Sequence, residues 1–521
     1  MRRLRIGIID LVSKCPTRAL WARVMHANFA AIMPQVIGVW CKEEGHDVTY
    51  LCYTGFENLV EEMPSNVDLV FIGAFTEAAQ LAYALSNQFR SQGAVTVIGG
   101  PHARCYPQDA QKYFDYVAGF TDRTVIRDIL NDCSRHSPLG LCVAAERQPL
   151  DIPGVRERWE FIEPTLRKAP FIKMVPMLGS MGCPYTCAFC IDSTVPYQPL
   201  DFDVMKEDLK FLLTKFKRPL VGWQDPNFGV RFDDFLGAIE EAIPPDRIDF
   251  IAESSLSLLS ESHVQRLKRN GFKVLLPGIE SWYDLGEKAK AGTARGMEKV
   301  RRVSEHINMI LRYIPYVQTN FVLGLDSDKG SEPFELTKRF VDLTPAAFPG
   351  YSLLSAFGQA APINLDYQRA GRVLPFPFHF LDNNRAMNLK PTNYSWPEFY
   401  DHVIDLTRYT FSPRAIGRRL HATRGFIPRW LNVIRAVSSE GNGRIHHYGK
   451  IRRALDEDPQ FRRFFDQETA VVPRYYVDQV KDDLGPLWKW LPRGAIIHDP
   501  NAYLKSVGEE QMEVAEERLV V

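Results

Sequence analysis

The chain has 521 residues, and its 63 basic and 63 acidic side chains give a formal net charge of zero. This length predicts several domains, and the balanced charge argues against a dedicated binder of nucleic acid or acidic membranes, although local patches remain possible. The sequence shows no secretory leader and no run of about 18 apolar residues, so no membrane-spanning helix is expected. Nine scattered cysteines do not resemble a disulfide framework. We therefore expect free thiols and a reducing, cytoplasmic location.

Residues 1–137 alternate buried strands with helical patterns, which predicts a doubly wound, Rossmann-like domain with a parallel sheet. The expected strands are residues 4–10, 48–52, 68–73, 94–98 and 116–119, and the expected helices are 34–44 and 75–92. Such sheets bind ligands at the carboxyl ends of their strands, where this chain carries Gly73, Gly99, Gly100 and Gly119. Glycines there either let the backbone approach a large flat ligand or simply form tight turns between strand and helix.

Residues 138–173 contain five dispersed prolines and are predicted to be a linker. Strand–helix units then fill residues 174–360, and six such units predict a partial (β/α)6 barrel. Polar or glycine residues follow four of the barrel strands: Asp225, Glu253, Glu280 and Gly324. Because active residues in barrels lie at the carboxyl ends of strands, these four are candidate site residues. Residues 361–521 show helical spacing, with one helix expected over 451–467, which predicts a mostly helical C-terminal domain. The acidic segment 509–517 is expected to be a solvated helix or a frayed end.

The most specific motif is a set of three cysteines, Cys183, Cys187 and Cys190, with the spacing C-x3-C-x2-C. Three thiolates match an iron–sulfur cubane, which normally takes four cysteines, and they leave one iron open for a small molecule. A zinc knuckle would need a fourth cysteine or histidine at a second short spacing, and the next histidine downstream is His263. The motif therefore predicts a cluster with an open coordination position.

This motif, with Phe189 before its last cysteine, resembles that of the radical S-adenosylmethionine (SAM) enzymes. The glycine pattern of residues 1–137 resembles the cobalamin-binding domain that precedes many radical SAM cores. Together the two resemblances cover residues 1–370, and they imply a [4Fe–4S] cluster, SAM and cobalamin as cofactors. The D-x-H-x-x-G motif, which supplies an axial histidine in other cobalamin proteins, is absent. The resemblance therefore implies cobalamin without a histidine beneath cobalt.

The resemblance also implies roles for the candidate residues. Cys183, Cys187 and Cys190 would bind the cluster, with Phe189 beside it, and Gly73, Gly99, Gly100 and Gly119 would contact cobalamin. Asp225 would face the SAM amino group or cap a helix, and Glu253 would accept hydrogen bonds from the ribose. Glu280, in a Gly-Ile-Glu-Ser sequence, would contact SAM or support its site. Gly324 would pass beside adenosine or form a simple turn. No individual catalytic residue is predicted.

The function implied is a cobalamin-dependent radical SAM enzyme, most commonly a methyltransferase, acting on an unactivated carbon of a small-molecule or natural-product intermediate. An external electron donor such as flavodoxin or ferredoxin is implied, and no nucleic-acid partner is expected. Three alternatives remain: a cyclisation, rearrangement or oxidation by radical chemistry, methylthiotransfer to RNA or protein, and a non-catalytic cobalamin or cluster sensor. Methylthiotransferases carry three further N-terminal cysteines for a second cluster, and Cys15, Cys41, Cys52 and Cys105 are not arranged convincingly for one.

Overall fold

The computed structural model describes residues 2–136, 139–500 and 502. Two parallel sheets, each flanked by helices, are followed by a helical region. This architecture confirms the predicted fold class. The acidic segment 509–517, expected to be a solvated helix or a frayed end, lies outside the described residues.

The first sheet has six parallel strands. The strands are β1 (Arg5–Leu11), β2 (Asp47–Tyr53), β3 (Leu69–Ala74), β4 (Val95–Gly99), β5 (Tyr116–Ala118) and β6 (Leu141–Val143). The helices are α1 (Leu20–Met25), α2 (Ile32–Glu43), α3 (Leu59–Glu62), α4 (Ala79–Ser91), α5 (Pro101–Cys105), α6 (Pro107–Ala110) and α7 (Arg123–Asp132). The strand order is β2-β1-β3-β4-β5-β6, so the order reverses beside β1. Ligands of doubly wound sheets bind at such a reversal.

The sheet is buried on both faces, as its continuous apolar strands predicted. In β1, Ile6 and Ile8 pack into the core on one face, whereas Ile9 and Leu11 pack into the core on the other. The segment 138–173 is more structured than the expected linker: it contributes β6 to the edge of the sheet and a helix, α8 (Trp159–Lys168). Pro149, Pro153 and Pro170 lie outside helices and strands, whereas Pro164 lies inside α8.

The second sheet forms the partial barrel. The elements of this region are β7 (Met174–Met177), β8 (Ser180–Met181), β9 (Gln198–Pro199), α9 (Phe202–Lys215), β10 (Leu220–Trp223), α10 (Phe232–Ala242), β11 (Asp249–Glu253), α11 (Glu261–Arg269), β12 (Phe272–Leu276), β13 (Gly278–Glu280), α12 (Gly296–Tyr313), β14 (Tyr316–Leu323), α13 (Glu332–Leu343) and β15 (Phe348–Leu353). Strands β8 and β9 form a separate two-stranded antiparallel sheet. The order β7-β10-β11-β12-β14-β15 is entirely parallel, and β13 continues β12 after Pro277. Six parallel positions confirm the predicted barrel.

The chain ends in a helical region, as predicted. Its helices are α14 (Ile363–Arg369), α15 (Trp396–Thr410), α16 (Pro413–Ala422), α17 (Phe426–Val437), α18 (Asn442–Glu457), α19 (Pro459–Phe465) and α20 (Arg474–Leu484). The expected single helix over residues 451–467 is two helices, because Asp458 caps α19 and Pro459 occupies its first turn. This region also contacts the first domain, where Gln80 and Asn87 donate hydrogen bonds to backbone carbonyls of Ala495 and Trp490.

Among the described residues, no single helix is long and apolar enough to cross a membrane. One bent pair, Leu20–Phe29 with Ile32–Glu43, meets the length and composition required only when its two parts are taken together.

Candidate functional site

The three motif cysteines lie in the loop between β8 and β9, and all three are free thiols. The loop closes on itself, since the Cys183 amide donates to the Val195 carbonyl and the Cys190 amide donates to the Cys187 carbonyl. Gly182 has a φ of 68°, and a Cβ there would lie 2.3 Å from the Pro196 carbonyl oxygen. Only glycine fits this crossing of the loop.

The cysteine thiols are close enough to affect one another's ionisation. Burial and, to a smaller extent, the neighbouring Cys183 raise the pKa of Cys187. Burial raises the pKa of Cys190 to about 11, and the backbone amide of Asp192, which donates to its Sγ, partly opposes this. Three thiols in one loop, with the pKa of Cys187 and Cys190 raised by burial, suit a metal cluster, because binding the metal supplies the positive charge that a buried thiolate needs. The donor set therefore fits a [4Fe–4S] cluster.

Asp225, which follows β10, holds the backbone that leads into this loop. Its side chain is buried and accepts hydrogen bonds from the Gly179 amide at 3.0 Å and from the Ser180 hydroxyl at 2.5 Å. Burial raises the pKa of Asp225 to about 6, and the hydrogen bonds from Ser180 and Gly179 partly oppose it. Both carboxylate oxygens thus already have partners on the strand before the cysteines. A SAM contact by Asp225 stays a prediction.

Glu280 pairs with a lysine that the sequence analysis did not single out. The Glu280 carboxylate accepts from Lys288 Nζ at 2.9 Å, and both side chains are mostly buried. Glu280 has a φ of 64°, an unusual conformation for a residue other than glycine. A Cβ at Gly278 would lie 2.0 Å from Glu280 Oε1. The glycine therefore gives the carboxylate room to fold back, which explains the first and third residues of the Gly-Ile-Glu sequence.

Lys288 interacts electrostatically with the cysteine loop as well as with Glu280. Burial alone would lower its pKa, but Glu280, Cys187 and Cys190 together raise it, so the ammonium stays charged. Glu253, at the end of β11, is accessible to solvent but is surrounded by many protein atoms. The resulting loss of hydration and the neighbouring Glu280 raise the pKa of Glu253, whereas Lys288 lowers it. The carboxyl ends of β11 and β13 thus place two carboxylates and one ammonium beside the cysteines. Lys288 lies in a loop without a motif, so nothing in the sequence marked it.

Gly324 and Phe189 are placed differently from each other. Gly324 has a φ of 91°, and a Cβ there would lie 3.0 Å from Met387 of the C-terminal region. Its amide donates to Asp328 at 3.0 Å, as in a tight turn. Phe189 is half-buried and packs against the hydrophobic core beside the cysteine loop. The adenosine role of Gly324 and the cofactor role of Phe189 stay predictions.

A cavity of about 290 Å³ lies between the carboxyl ends of the first sheet and the cysteine loop. The first sheet contributes all four predicted glycines, Gly73, Gly99, Gly100 and Gly119. The barrel region contributes Met181 of β8, Gly182 of the cysteine loop, and Gln224 and Pro226 after β10. The two halves of the protein therefore open into one space. Asp10, missed by sequence reasoning, also lines it; its carboxylate accepts from the Ala31 amide at 2.7 Å and so orients the start of α2.

The four glycines are not equivalent. A Cβ at Gly73 would lie 3.0 Å from Pro34, one at Gly100 3.0 Å from the Ala74 carbonyl oxygen, and one at Gly119 3.0 Å from Ala144. At Gly99 the nearest atom, the Ala118 carbonyl oxygen, is 4.0 Å away, so a side chain there would enter the cavity. None of the residues that line the cavity is a histidine. This cradle fits a flat ligand whose face meets backbone, which is the fit that cobalamin without a protein histidine requires.

Arg104 of α5 connects the two halves at the rim of the cavity. Its guanidinium donates to the Ile191 carbonyl at 2.9 Å, pairs with Asp192 at 3.2 Å and lies over the Phe120 ring. Ile191 and Asp192 directly follow the last motif cysteine. The first domain thus contacts the cysteine loop directly. His26 Nδ1 is hydrogen-bonded to the Thr54 carbonyl at 2.8 Å, and His26 does not line the cavity.

Comparisons with known proteins agree with this geometry. No family model matches the chain. Bacteriochlorophyllide d C-12(1)-methyltransferase of Chlorobaculum tepidum is 21% identical over 380 residues, which are 72% of this chain and 81% of the relative. Bacteriochlorophyllide d C-8(2)-methyltransferase of the same organism is 24% identical over 231 residues, which are 41% of this chain and 50% of the relative.

Two solved structures share the fold. TsrM from Kitasatospora setae, a radical SAM methyltransferase solved with tryptophan and a SAM analogue, aligns with a TM-score of 0.54 and 14% identity over 87% of this chain and 99% of its own. OxsB, a cobalamin-dependent SAM radical enzyme, aligns with a TM-score of 0.54 and 11% identity over 98% of this chain and 81% of its own. These likenesses confirm the resemblance and the fold that the cysteine and glycine motifs indicated.

Proposed function

We propose that this protein is a cobalamin-dependent radical SAM methyltransferase that acts on a carbon atom of a small-molecule substrate. The observation that carries the proposal is the shared cavity, where the glycine ends of the first sheet face the cysteine loop. When bound, cobalamin would supply the methyl group, and the cluster with SAM would supply the radical. Both relatives are named as methyltransferases, as is TsrM, and structures of TsrM and OxsB are described with cobalamin bound.

The side chains divide the binding work. Cys183, Cys187 and Cys190 would hold the cluster, and the loop geometry at Gly182 fixes their approach. The Glu280–Lys288 pair provides opposite charges beside the cysteines, which suits the ammonium and carboxylate of SAM. A reaction between two cofactors and one substrate carbon requires that all three meet, and a cavity common to both domains satisfies that requirement.

The cytoplasm is the proposed location, because an oxygen-sensitive cluster and nine free thiols favour reducing conditions. Flavodoxin or ferredoxin is the proposed class of electron donor. The substrate class is tested with the compounds named for the relatives, a bacteriochlorophyllide d and tryptophan, as starting probes.

The experiment is an anaerobic assay of the reconstituted protein with SAM, cobalamin, a reductant and each probe. The expected products are S-adenosylhomocysteine, 5′-deoxyadenosine and a probe heavier by one methylene unit. Formation of 5′-deoxyadenosine without S-adenosylhomocysteine would support a different radical reaction. Absence of both, in protein with an intact cluster and bound cobalamin across a broad panel of substrates, would support the sensor alternative and contradict the proposal.

A further inference from the structure

Helix α17 exposes the side chains that a surface helix normally buries. Phe426 is 81% exposed, Ile427 66%, Trp430 41% and Val437 61%. At 3.6 residues per turn these positions share one face of the helix. On the opposite face of the helix the buried residues are Asn432, which is polar, and Ala436, which is small. The amphipathic pattern is therefore inverted, with the large apolar side chains outward.

The exposed apolar side chains of α17 form one group. We call Phe426, Ile427, Trp430 and Val437 the apolar patch. Scattered exposed apolar residues are common, but several large ones on one face of a helix mark an interaction surface. The other side of α17 contacts the first domain, since the Arg435 guanidinium lies 5.5 Å from the centre of the Trp21 ring of α1.

The surroundings of the patch are strongly basic despite the neutral chain. Residues 406–439 contain seven arginines and no aspartate or glutamate. Arg414, Arg424 and Arg429 are exposed, and none of them forms an ion pair within the described part of the chain. A second copy of the chain placed symmetrically on this patch would bring like charges together. The charge therefore favours an anionic partner.

We propose that the apolar patch docks the protein onto the surface of an anionic lipid bilayer. A helix with exposed aromatic and aliphatic side chains and flanking arginines lies in the plane of such a surface, with its apolar face among the acyl chains and its cations at the phosphates. The protein would bind peripherally, without a spanning helix. This surface goes beyond the proposed enzymatic function and is independent of it.

The position of the patch leaves the cofactor cavity accessible. Arg435 donates to the Tyr316 hydroxyl at 2.9 Å, and Tyr316 is the first residue of β14. The patch thus lies at the amino ends of the barrel strands, whereas the cysteines and the cavity lie at their carboxyl ends. Docking would orient the cavity away from the bilayer plane, so cofactor content is expected to be unaffected by changes in the patch.

The test is co-sedimentation of the whole protein with phosphatidylcholine vesicles that contain or lack phosphatidylglycerol. The variant Phe426→Ser/Ile427→Ser/Trp430→Ser should bind the anionic vesicles at least about tenfold more weakly than the parent. The matched control Leu141→Ser/Val204→Ser also removes exposed apolar side chains, on β6 and α9, and should bind like the parent. Iron and cobalamin content and circular dichroism should be equal in all three proteins, whether or not they are methyltransferases.

A second variant separates charge from apolar insertion. Arg414→Gln/Arg424→Gln/Arg429→Gln should remove the preference for phosphatidylglycerol over phosphatidylcholine and make the remaining binding insensitive to salt. The proposal is overturned if the serine variant binds vesicles like the control. It is equally overturned if the parent does not bind the anionic vesicles. Dimerisation or nucleic-acid binding that the serine variant loses would then identify a different partner of the patch.

Discussion

The carboxyl ends of the two parallel sheets face each other, and they carry different kinds of residue. The first sheet lines the cavity with backbone, through glycines at the ends of β3, β4 and β5. The barrel reaches the cavity through Met181 and Gly182, and it carries its thiols and charges outside the cavity lining, on the motif cysteines, Glu253, Glu280 and Lys288. A large flat ligand needs space and backbone contact, whereas a small zwitterion and a metal cluster need charged or soft donors. The same α/β architecture thus prepares two cofactor sites by a different choice of residues at its strand ends.

The sharpest test of the barrel half is removal of its thiols. Changing Cys183, Cys187 and Cys190 together to Ala should reduce iron and sulfide after anaerobic reconstitution by more than about tenfold, since no other donor set replaces three cluster ligands. Iron and sulfide analysis with visible absorption measures this.

Cys142→Ala is the matched control, because Cys142 is an exposed thiol on β6. Its iron content should equal that of the parent. Full iron and sulfide content in the triple variant would show that the motif cysteines are not the ligands.

The corresponding test of the first sheet adds a side chain where only backbone lies. Gly99→Val should fold, because the nearest atom to a Cβ there is 4.0 Å away, and it should retain at least about tenfold less cobalamin because the new methyl groups enter the cavity. Gly237→Val is the control. Gly237 lies on α10, and a Cβ there would meet no described atom within 4 Å beyond the adjacent residues and the backbone of its own helix. Cobalamin is measured by absorption after purification from cells supplied with hydroxocobalamin.

Equal cobalamin retention by the two valine variants would contradict a role for Gly99 at the ligand face. The paramagnetic spectrum of bound Co(II) adds a second check. Because no histidine lines the cavity, and because we expect the benzimidazole of the bound cofactor to be displaced from cobalt, the signal should lack splitting by an axial nitrogen. Such splitting would show that a nitrogen ligand from the chain or the cofactor binds cobalt.

The charged residues of the barrel region are tested at the ion pair between Glu280 and Lys288. Glu280→Gln leaves the mostly buried Lys288 ammonium without its partner, so SAM affinity should fall about tenfold and the free energy of unfolding by about 2 kcal/mol. Glu287→Gln, a change of the same kind at an exposed residue of the same loop, should alter neither quantity. Titration of SAM, followed through the cluster spectrum, and denaturant unfolding measure the two effects. Unchanged SAM affinity with lowered stability would make the pair purely structural.

How much the sequence revealed also differs between the two regions. Continuous apolar runs located the strands of the first sheet, because that sheet is buried on both faces. The cysteine spacing located the predicted cluster loop, because its three cysteines are close in sequence. Lys288 was missed because it lies in a loop without a motif, and Arg104 was missed because its partner Asp192 is 88 residues away in the sequence. Asp225 was found by position alone, and its contacts with Gly179 and Ser180 follow from loop geometry that spacing does not encode.

The smallest effect is expected from a change at the contact between the first domain and the cysteine loop. Arg104 of the first domain pairs with Asp192 of the cysteine loop, and the two side chains are 16% and 27% exposed. A partly exposed pair of this kind contributes about 0.5–1 kcal/mol, so Arg104→Gln should weaken cobalamin binding about threefold. Arg147→Gln is the control, because its ion pair with the adjacent Glu146 is largely exposed. The measurement is cobalamin affinity of protein with an intact cluster.

A double-mutant cycle with Asp192→Asn separates the ion pair from the other contacts of Arg104. If the pair couples the domains, the double variant should bind cobalamin no more weakly than Arg104→Gln alone, since the same interaction is lost once. The hydrogen bond to the Ile191 carbonyl and the contact with Phe120 depend on Arg104 and not on Asp192. If the losses of cobalamin affinity in the two single variants are strictly additive, Arg104 acts through those two contacts. The first domain and the barrel would then bind their ligands without coupling through the Arg104–Asp192 pair.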